Sequence, residues 1–175
     1  YTNIFYHEWD KMGQNGITQR FRGSYSARID DRGRLKIPAR FLSVFETEYG
    51  RDVFITSLNG DHVILYPIRV WEEMESRIES HGAWDPDMDD FINRLGFFGV
   101  ESAIDSKGRI LLPPELRRES RLEEEVRVFG KASHLVIWNA EFFRERELGE
   151  QYSKEKLHRI SRIINGIPPL PGHEQ

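Results

Sequence analysis

The stretch Ile29–Phe41, "IDDRGRLKIPARF", decides how the chain is read. It crowds Asp30, Asp31, Arg32, Arg34 and Lys36 around Gly33, between an apolar residue and a proline. Seventy-five positions on, Ile104–Leu116 reads "IDSKGRILLPPEL". Ile29, Asp30, Gly33, Arg34 and Pro38 fall on Ile104, Asp105, Gly108, Arg109 and Pro113, and Arg32 falls on Lys107. Leu35 and Ile37 fall on Ile110 and Leu112, so the alternation of a short strand is kept. Further along the offset becomes 72, aligning "HVILYPIRVW" (His62–Trp71) with "HLVIWNAEFF" (His134–Phe143). "INRLGFFG" (Ile92–Gly99) loosely matches "ISRIINGI" (Ile160–Ile167). Internal similarity of this kind predicts a two-copy architecture.

Each copy carries the same order of signals. An extended segment, Ser24–Ile29, enters the charged turn, and "RLKIP" follows as a short strand. Pro38 suits a helix start, so "ARFLSVFETEYG" reads as a helix stopped by Gly50. "DVFITSL" and "DHVILYP" flank Asn59-Gly60, a hairpin signal because both residues tolerate φ > 0. A helix is expected from Pro67 to Gly82, with Ile68, Trp71, Met74 and Ile78 on one side. Asp85 is placed as the cap of the next, with Pro86 at its first position. In the second copy Asn139 takes the cap position before Phe142 and Phe143. A copy of this size has a thin core, and two copies can cover each other's open edges.

Composition narrows the function. The 175 residues carry a net charge of −4 and no cysteine, which excludes disulfides and Cys-ligated zinc. The longest apolar runs are four residues, such as Leu135–Trp138, so neither a membrane span nor a signal-peptide core is expected. The acidic average hides a basic segment. Arg20, Arg22, Arg28, Arg32, Arg34, Lys36 and Arg40 face only Asp30 and Asp31. Such a patch is the footprint expected of a nucleic-acid partner.

The paired motifs "DDRGR…P" and "DSKGR…P", with "FRGSYSARID" ahead of the first, resemble the MraZ family of AbrB-related bacterial transcriptional regulators. The resemblance runs from Phe21 to about Gly166. It implies an α+β fold in which two tandem AbrB-like repeats, 21–98 and 99–167, form a pseudo-twofold swapped-hairpin β-barrel with flanking helices. It also implies a cytoplasmic, nucleoid-associated repressor. Ring-shaped homo-oligomers would bind short direct repeats of double-stranded DNA upstream of a division and cell-wall gene cluster. Asp30, Arg34, Asp105 and Arg109 carry over as the motif residues. Residues 1–20 stand outside the resemblance as an arm or remnant, and 168–175 as an extended tail.

The residues themselves support a DNA-binding turn. Gly33 and Gly108 can take φ > 0 and let backbone approach a phosphate. Arg32, Arg34, Lys107 and Arg109 supply cations, and arginine makes planar contacts with phosphate or guanine. A bare carboxylate repels DNA, so Asp30 and Asp105 are assigned an orienting role, each holding the arginine four residues on. The rival reading is an oligomeric protein-interaction scaffold in which the charged turns pair between subunits. No catalytic signature is present, and no enzyme activity, cofactor or small-molecule substrate is expected. The six histidines lack metal-ligand spacing, so His62 and His134 are read as structural. "DPDMDD" (Asp85–Asp90) lacks the glycine and glutamate of a calcium loop. Trp71, Phe142 and Phe143 are read as core or subunit contacts. Leu157, Ile160 and Ile164 form a stripe expected to pack on the second copy.

Overall fold

The computed structural model describes residues 19–81, 86–149 and 151–166. The chain forms two compact units, one ending at Ala140 and one beginning at Glu141. In the first unit β1 (Phe21–Arg28) and β2 (Arg34–Lys36) precede α1 (Ala39–Val44) and a π-helical turn (Phe45–Tyr49). Then come β3 (Asp52–Thr56), β4 (Val63–Pro67), α2 (Ile68–His81) and α3 (Pro86–Phe97). The order recurs as β5 (Val100–Ala103), β6 (Arg109–Leu111), α4 (Pro114–Glu119), β7 (Glu125–Ala132) and β8 (His134–Asn139). Helices α5 (Ala140–Glu147) and α6 (Lys154–Ile164) follow. Helices with antiparallel sheets make the α+β class expected from the sequence.

Four strand pairings, β1–β7, β2–β6, β3–β5 and β4–β8, cross between the halves, and β3–β4 and β7–β8 lie within one. A six-stranded sheet has the order β1-β7-β8-β4-β3-β5, and β2 and β6 form a separate two-stranded sheet. β1 lies antiparallel to β7 from Phe21↔Ala132 to Arg28↔Glu125, and β5 lies antiparallel to β3 from Asp52↔Ala103 to Ile55↔Val100. The registers map onto each other. Arg28 corresponds to Ala103 at an offset of 75, and their partners Glu125 and Asp52 correspond at 73. The β3–β4 pair Thr56↔Ile64 corresponds to Phe129↔Val136, which sets an offset of 72 for β4 and β8. The pairs Leu35↔Ile110 and Ile64↔Val136 map onto themselves. The change in offset thus comes in two steps. Two residues separate the halves between Pro38 and Asp52, where the first half holds its π-helical turn, and one separates them in the β3–β4 loop.

The core follows from alternation. Leu35 and Ile37, Val53 and Ile55, Ile110 and Leu112, and Val126 and Val128 all point inward and are buried. Val63 to Tyr66 and His134 to Ile137 are buried without alternation, as suits short apolar strands in the middle of a sheet. Phe21 stands among Phe45, Tyr49 and Phe41, with ring centroids 4.8, 5.6 and 5.8 Å away. Trp71 is buried and stacks on Phe54 at 3.8 Å.

Several local expectations are corrected. The helix from Ala39 divides at Phe45 into a π-helical turn, which Gly50 ends at φ +86° and ψ −164°. Asn59-Gly60 is not a two-residue turn: Thr56↔Ile64 is the last β3–β4 pair, and only Gly60 has positive φ. The tight hairpin is in the second half, where Lys131 pairs with His134 and Ala132 takes φ +56°. Pro67 ends β4 instead of opening α2. Asn139 ends β8, and its side-chain amide donates to the Arg121 carbonyl at 2.7 Å. The proposed Asp85 cap, the Gly82 stop, residues 1–18 and the tail from 167 lie outside the described residues.

The second unit holds most of α5 and all of α6. No residue of α6 is buried, and Leu157, Ile163 and Ile164 are exposed. Phe142 and Phe143 are half-buried. Ser153 caps α6, accepting a hydrogen bond from the Lys156 amide.

Candidate nucleic-acid interface

The two charged turns are built alike, atom by atom. In the first, Asp30 Oδ1 accepts the backbone amides of Arg32 at 3.0 Å and Arg34 at 2.9 Å. In the second, Asp105 Oδ1 accepts those of Lys107 at 2.8 Å and Arg109 at 2.9 Å. The main chain closes each turn: the Asp30 carbonyl accepts from Gly33 at 2.9 Å, and that of Asp105 from Gly108 at 2.9 Å. The other carboxylate oxygen holds the arginine side-on. Asp30 Oδ2 lies 2.8 Å from Arg34 Nε and 2.7 Å from Nη2; Asp105 Oδ2 lies 2.9 and 2.7 Å from the same atoms of Arg109. This leaves Nη1 and one N–H of Nη2 on each guanidinium facing away from its carboxylate. Aspartate and arginine thus stand together as the sequence predicted.

The electrostatics follow from these bonds. The Arg34 guanidinium, helped by the turn amides, holds the Asp30 carboxyl down at about 2, and Arg109 does the same for Asp105. The Asp30 hydrogen bond raises the pKa of Arg34, and the charge of Asp105 adds to the shift. Asp30 and Asp105 are therefore spent within their own turns. Asp31 is exposed.

β2 and β6 set the turns on one surface. Leu35 and Ile110 point into the core, so Arg34 and Lys36 on one strand and Arg109 and Leu111 on the other share the outward face. Arg34 pairs with Leu111 and Lys36 with Arg109, which puts the two motif arginines on a diagonal with Cα atoms about 8 Å apart. Arg32 and Lys107 are exposed at the two ends. Backbone bonds tie each turn to the opposite half: Leu112 donates to the Gly33 carbonyl and Ile37 to that of Gly108, both at 3.0 Å.

Both turn glycines take the positive φ expected of them, +78° at Gly33 and +70° at Gly108, but both are buried. The room at each is filled from within the chain. A methyl group on Gly33 would lie 2.7 Å from Cζ of Arg117, and one on Gly108 would lie 2.6 Å from Leu42 Cδ2. Lys36 Nζ also reaches the second turn and donates to the Lys107 carbonyl. Motif reasoning did not single out Arg117, and it named Lys36 only as part of the basic segment. The offset of 75 equates Arg117 with Leu42 and Lys36 with Leu111, and that substitution pattern was the available signal.

His62 and His134 behave as structural groups. His62 and His134 are buried, and burial takes His134 down to about 3. His62 stacks on Trp138 at 4.4 Å, with its Nδ1 2.6 Å from Asp61 Oδ1. Among the described residues no group of three His, Cys, Asp or Glu side chains could hold a metal ion, and no helix is long and apolar enough to cross a membrane.

An α+β fold with cross-paired halves, each presenting an aspartate-clamped arginine turn, defines the class. The family model described as "MraZ protein, putative antitoxin-like" matches residues 99–160. Proteins named "Transcriptional regulator MraZ" are similar over most of the chain. That of Acidobacterium capsulatum is 36% identical over 71% of this chain and 86% of its own length. The Koribacter versatilis protein is 35% identical over 82% and 98%, and that of Moorella thermoacetica 37% identical over 75% and 91%. The chain belongs to the MraZ family.

Proposed function

We propose that this chain is a transcriptional regulator that binds double-stranded DNA in a sequence-specific way through its two charged turns. The names of its relatives support the first part of that reading. The observation that carries the second is the repetition of one clamped arginine turn on a shared outward face. Two backbone amides fix each carboxylate, and the carboxylate in turn holds its guanidinium, so little side-chain entropy remains to be lost on binding. The free edge of each retains donors suited to guanine or phosphate. Arg32 and Lys107 supply further charge, and Gly33 and Gly108 permit the turn geometry. The finer reading is a repressor of a division and cell-wall gene cluster, including its own promoter, located in the cytoplasm at the nucleoid. It comprises two AbrB-like repeats, 21–98 and 99–167, forming a swapped-hairpin barrel, and the cross-pairing of β1 with β7 and β5 with β3 supports that arrangement. Ring oligomers on direct repeats would multiply weak turns by avidity. The scaffold alternative needs aspartates open to a neighbour, whereas Asp30 and Asp105 are engaged by their own arginines.

The test is a gel shift on the DNA upstream of the chain's own coding sequence, against a scrambled duplex, with mass measured by light scattering. Selective retardation and a mass well above 20.6 kDa are expected. Equal binding to both duplexes rejects sequence specificity, and a clean monomer rejects the ring.

A further inference from the structure

We infer that Arg117 is a third cation of the first turn and that the second turn lacks its counterpart, so the two turns bind DNA unequally. Arg117 belongs to α4, in the half of the chain opposite the turn it reaches. Its guanidinium lies flat against Gly33, with Cζ, Nη2 and Nε 2.7, 2.8 and 2.9 Å from the place a Cβ would take. Glycine suits the positive φ of that position, and a Cβ there would displace the guanidinium. The Nε is buried without a hydrogen-bond partner, and among the described residues Arg117 has no ion pair. Neighbouring Arg118, by contrast, lies within reach of both Glu115 and Glu119. A guanidinium that no carboxylate neutralises, packed under a turn that already presents Arg32 and Arg34, is suited to an anion brought by a partner.

The second turn has a different neighbour. Leu42 occupies the corresponding place over Gly108, with Cδ2 2.6 Å from the Cβ position. The cation there is Lys36, which comes from β2 and is spent on the Lys107 carbonyl. The first turn therefore pairs a helix arginine with Leu111 as its strand residue. The second pairs a helix leucine with a strand lysine. A planar arginine with free donors can grip a phosphate, whereas a lysine bonded to a turn carbonyl serves that turn first.

The inference rests on the DNA-binding reading, and the experiment separates the two. Affinity for the upstream duplex and for a scrambled duplex is measured across a salt series for the wild type, Arg117→Leu, Arg117→Lys and Leu42→Arg. Thermal unfolding of each variant is followed in parallel. Arg117→Leu should weaken binding to both duplexes and make the slope of log K against log salt shallower by about 0.9 for each engaged subunit. Arg117→Lys should keep the slope, and Leu42→Arg should steepen it. A wild type that binds while Arg117→Leu keeps the same affinity and slope overturns the role of Arg117 and leaves the DNA-binding reading intact. A wild type that retards no duplex even at low salt overturns both. If Arg117→Leu fails to fold, Leu42→Arg decides: an unchanged slope in that folded variant counts against the inference.

Discussion

At the residue scale the aspartates of the two turns do more than neutralise charge. Each accepts two turn amides as well as its arginine, so removing the side chain disturbs backbone and guanidinium together. Asp30→Ala should lower the melting temperature and weaken specific binding, while Asp31→Ala, at an exposed position, should leave melting unchanged. Asp30→Asn is the sharper variant, because its amide oxygen can still accept the turn amides while the charge on Arg34 goes unanswered. Thermal unfolding and operator affinity measured together distinguish these outcomes. The pH dependence has a definite sign. Both carboxyls sit at about 2 in the fold, below the ordinary aspartate value of 3.8. Their contribution is complete above about pH 4 and is lost as the pH falls through 2. Melting should therefore fall between about pH 4 and 2, and Asp30→Asn with Asp105→Asn should flatten that limb. An equally steep acid limb in the double variant would mean that other carboxylates carry it.

At the scale of elements, β2 and β6 show how little strand is needed when every inward residue is buried. Leu35 is fully buried at the centre of that ladder, and Leu111 faces outward. Leu35→Ala should cost about 2–5 kcal/mol in chemical unfolding, whereas Leu111→Ala should stay within about 0.5 kcal/mol of the wild type. The π-helical turn offers another case. Gly50 has open space where a Cβ would sit, but its φ and ψ fall in a region that only glycine enters readily. Gly50→Ala should cost about 1–3 kcal/mol through backbone strain alone. Gly33→Ala should cost about 1–2 kcal/mol from its positive φ, because the Arg117 guanidinium that a Cβ would meet is the end of a flexible side chain and can swing aside.

These elements also mark what could be read in advance. The turns, the short strands and the aspartate–arginine spacing were legible because each is set within five residues. The interior of β4 was legible as an apolar run. The position of Arg117 was not, because it depends on α4 of one half reaching the turn of the other. The Asn59-Gly60 loop misled because a turn signal fixes neither loop length nor where pairing stops.

At the scale of the whole molecule, the halves are not independent bodies. β1 and β2 find their partners in β7 and β6, while β5 returns to β3. A fragment ending at residue 98 would lack the partners of β1 and β2. It should be unfolded or should pair with a second copy of itself, never a folded monomer. Circular dichroism with light scattering on the fragment checks this, and a compact, cooperatively melting monomer would reject the interlocked arrangement.

The cross-pairing has a consequence for synthesis. Phe21 faces Ala132 and Arg28 faces Glu125, so β1 leaves the ribosome long before its partner is made. At about 5–20 residues per second, the interval of roughly a hundred codons lasts on the order of 5–20 s. Throughout that time the nascent chain carries an unpaired strand beginning with Phe21, the aromatic at the centre of its ring cluster. A stall or premature termination before residue 125 would release that strand exposed, and polysome-bound chains of this length should be the species on which trigger-type chaperones and proteases act.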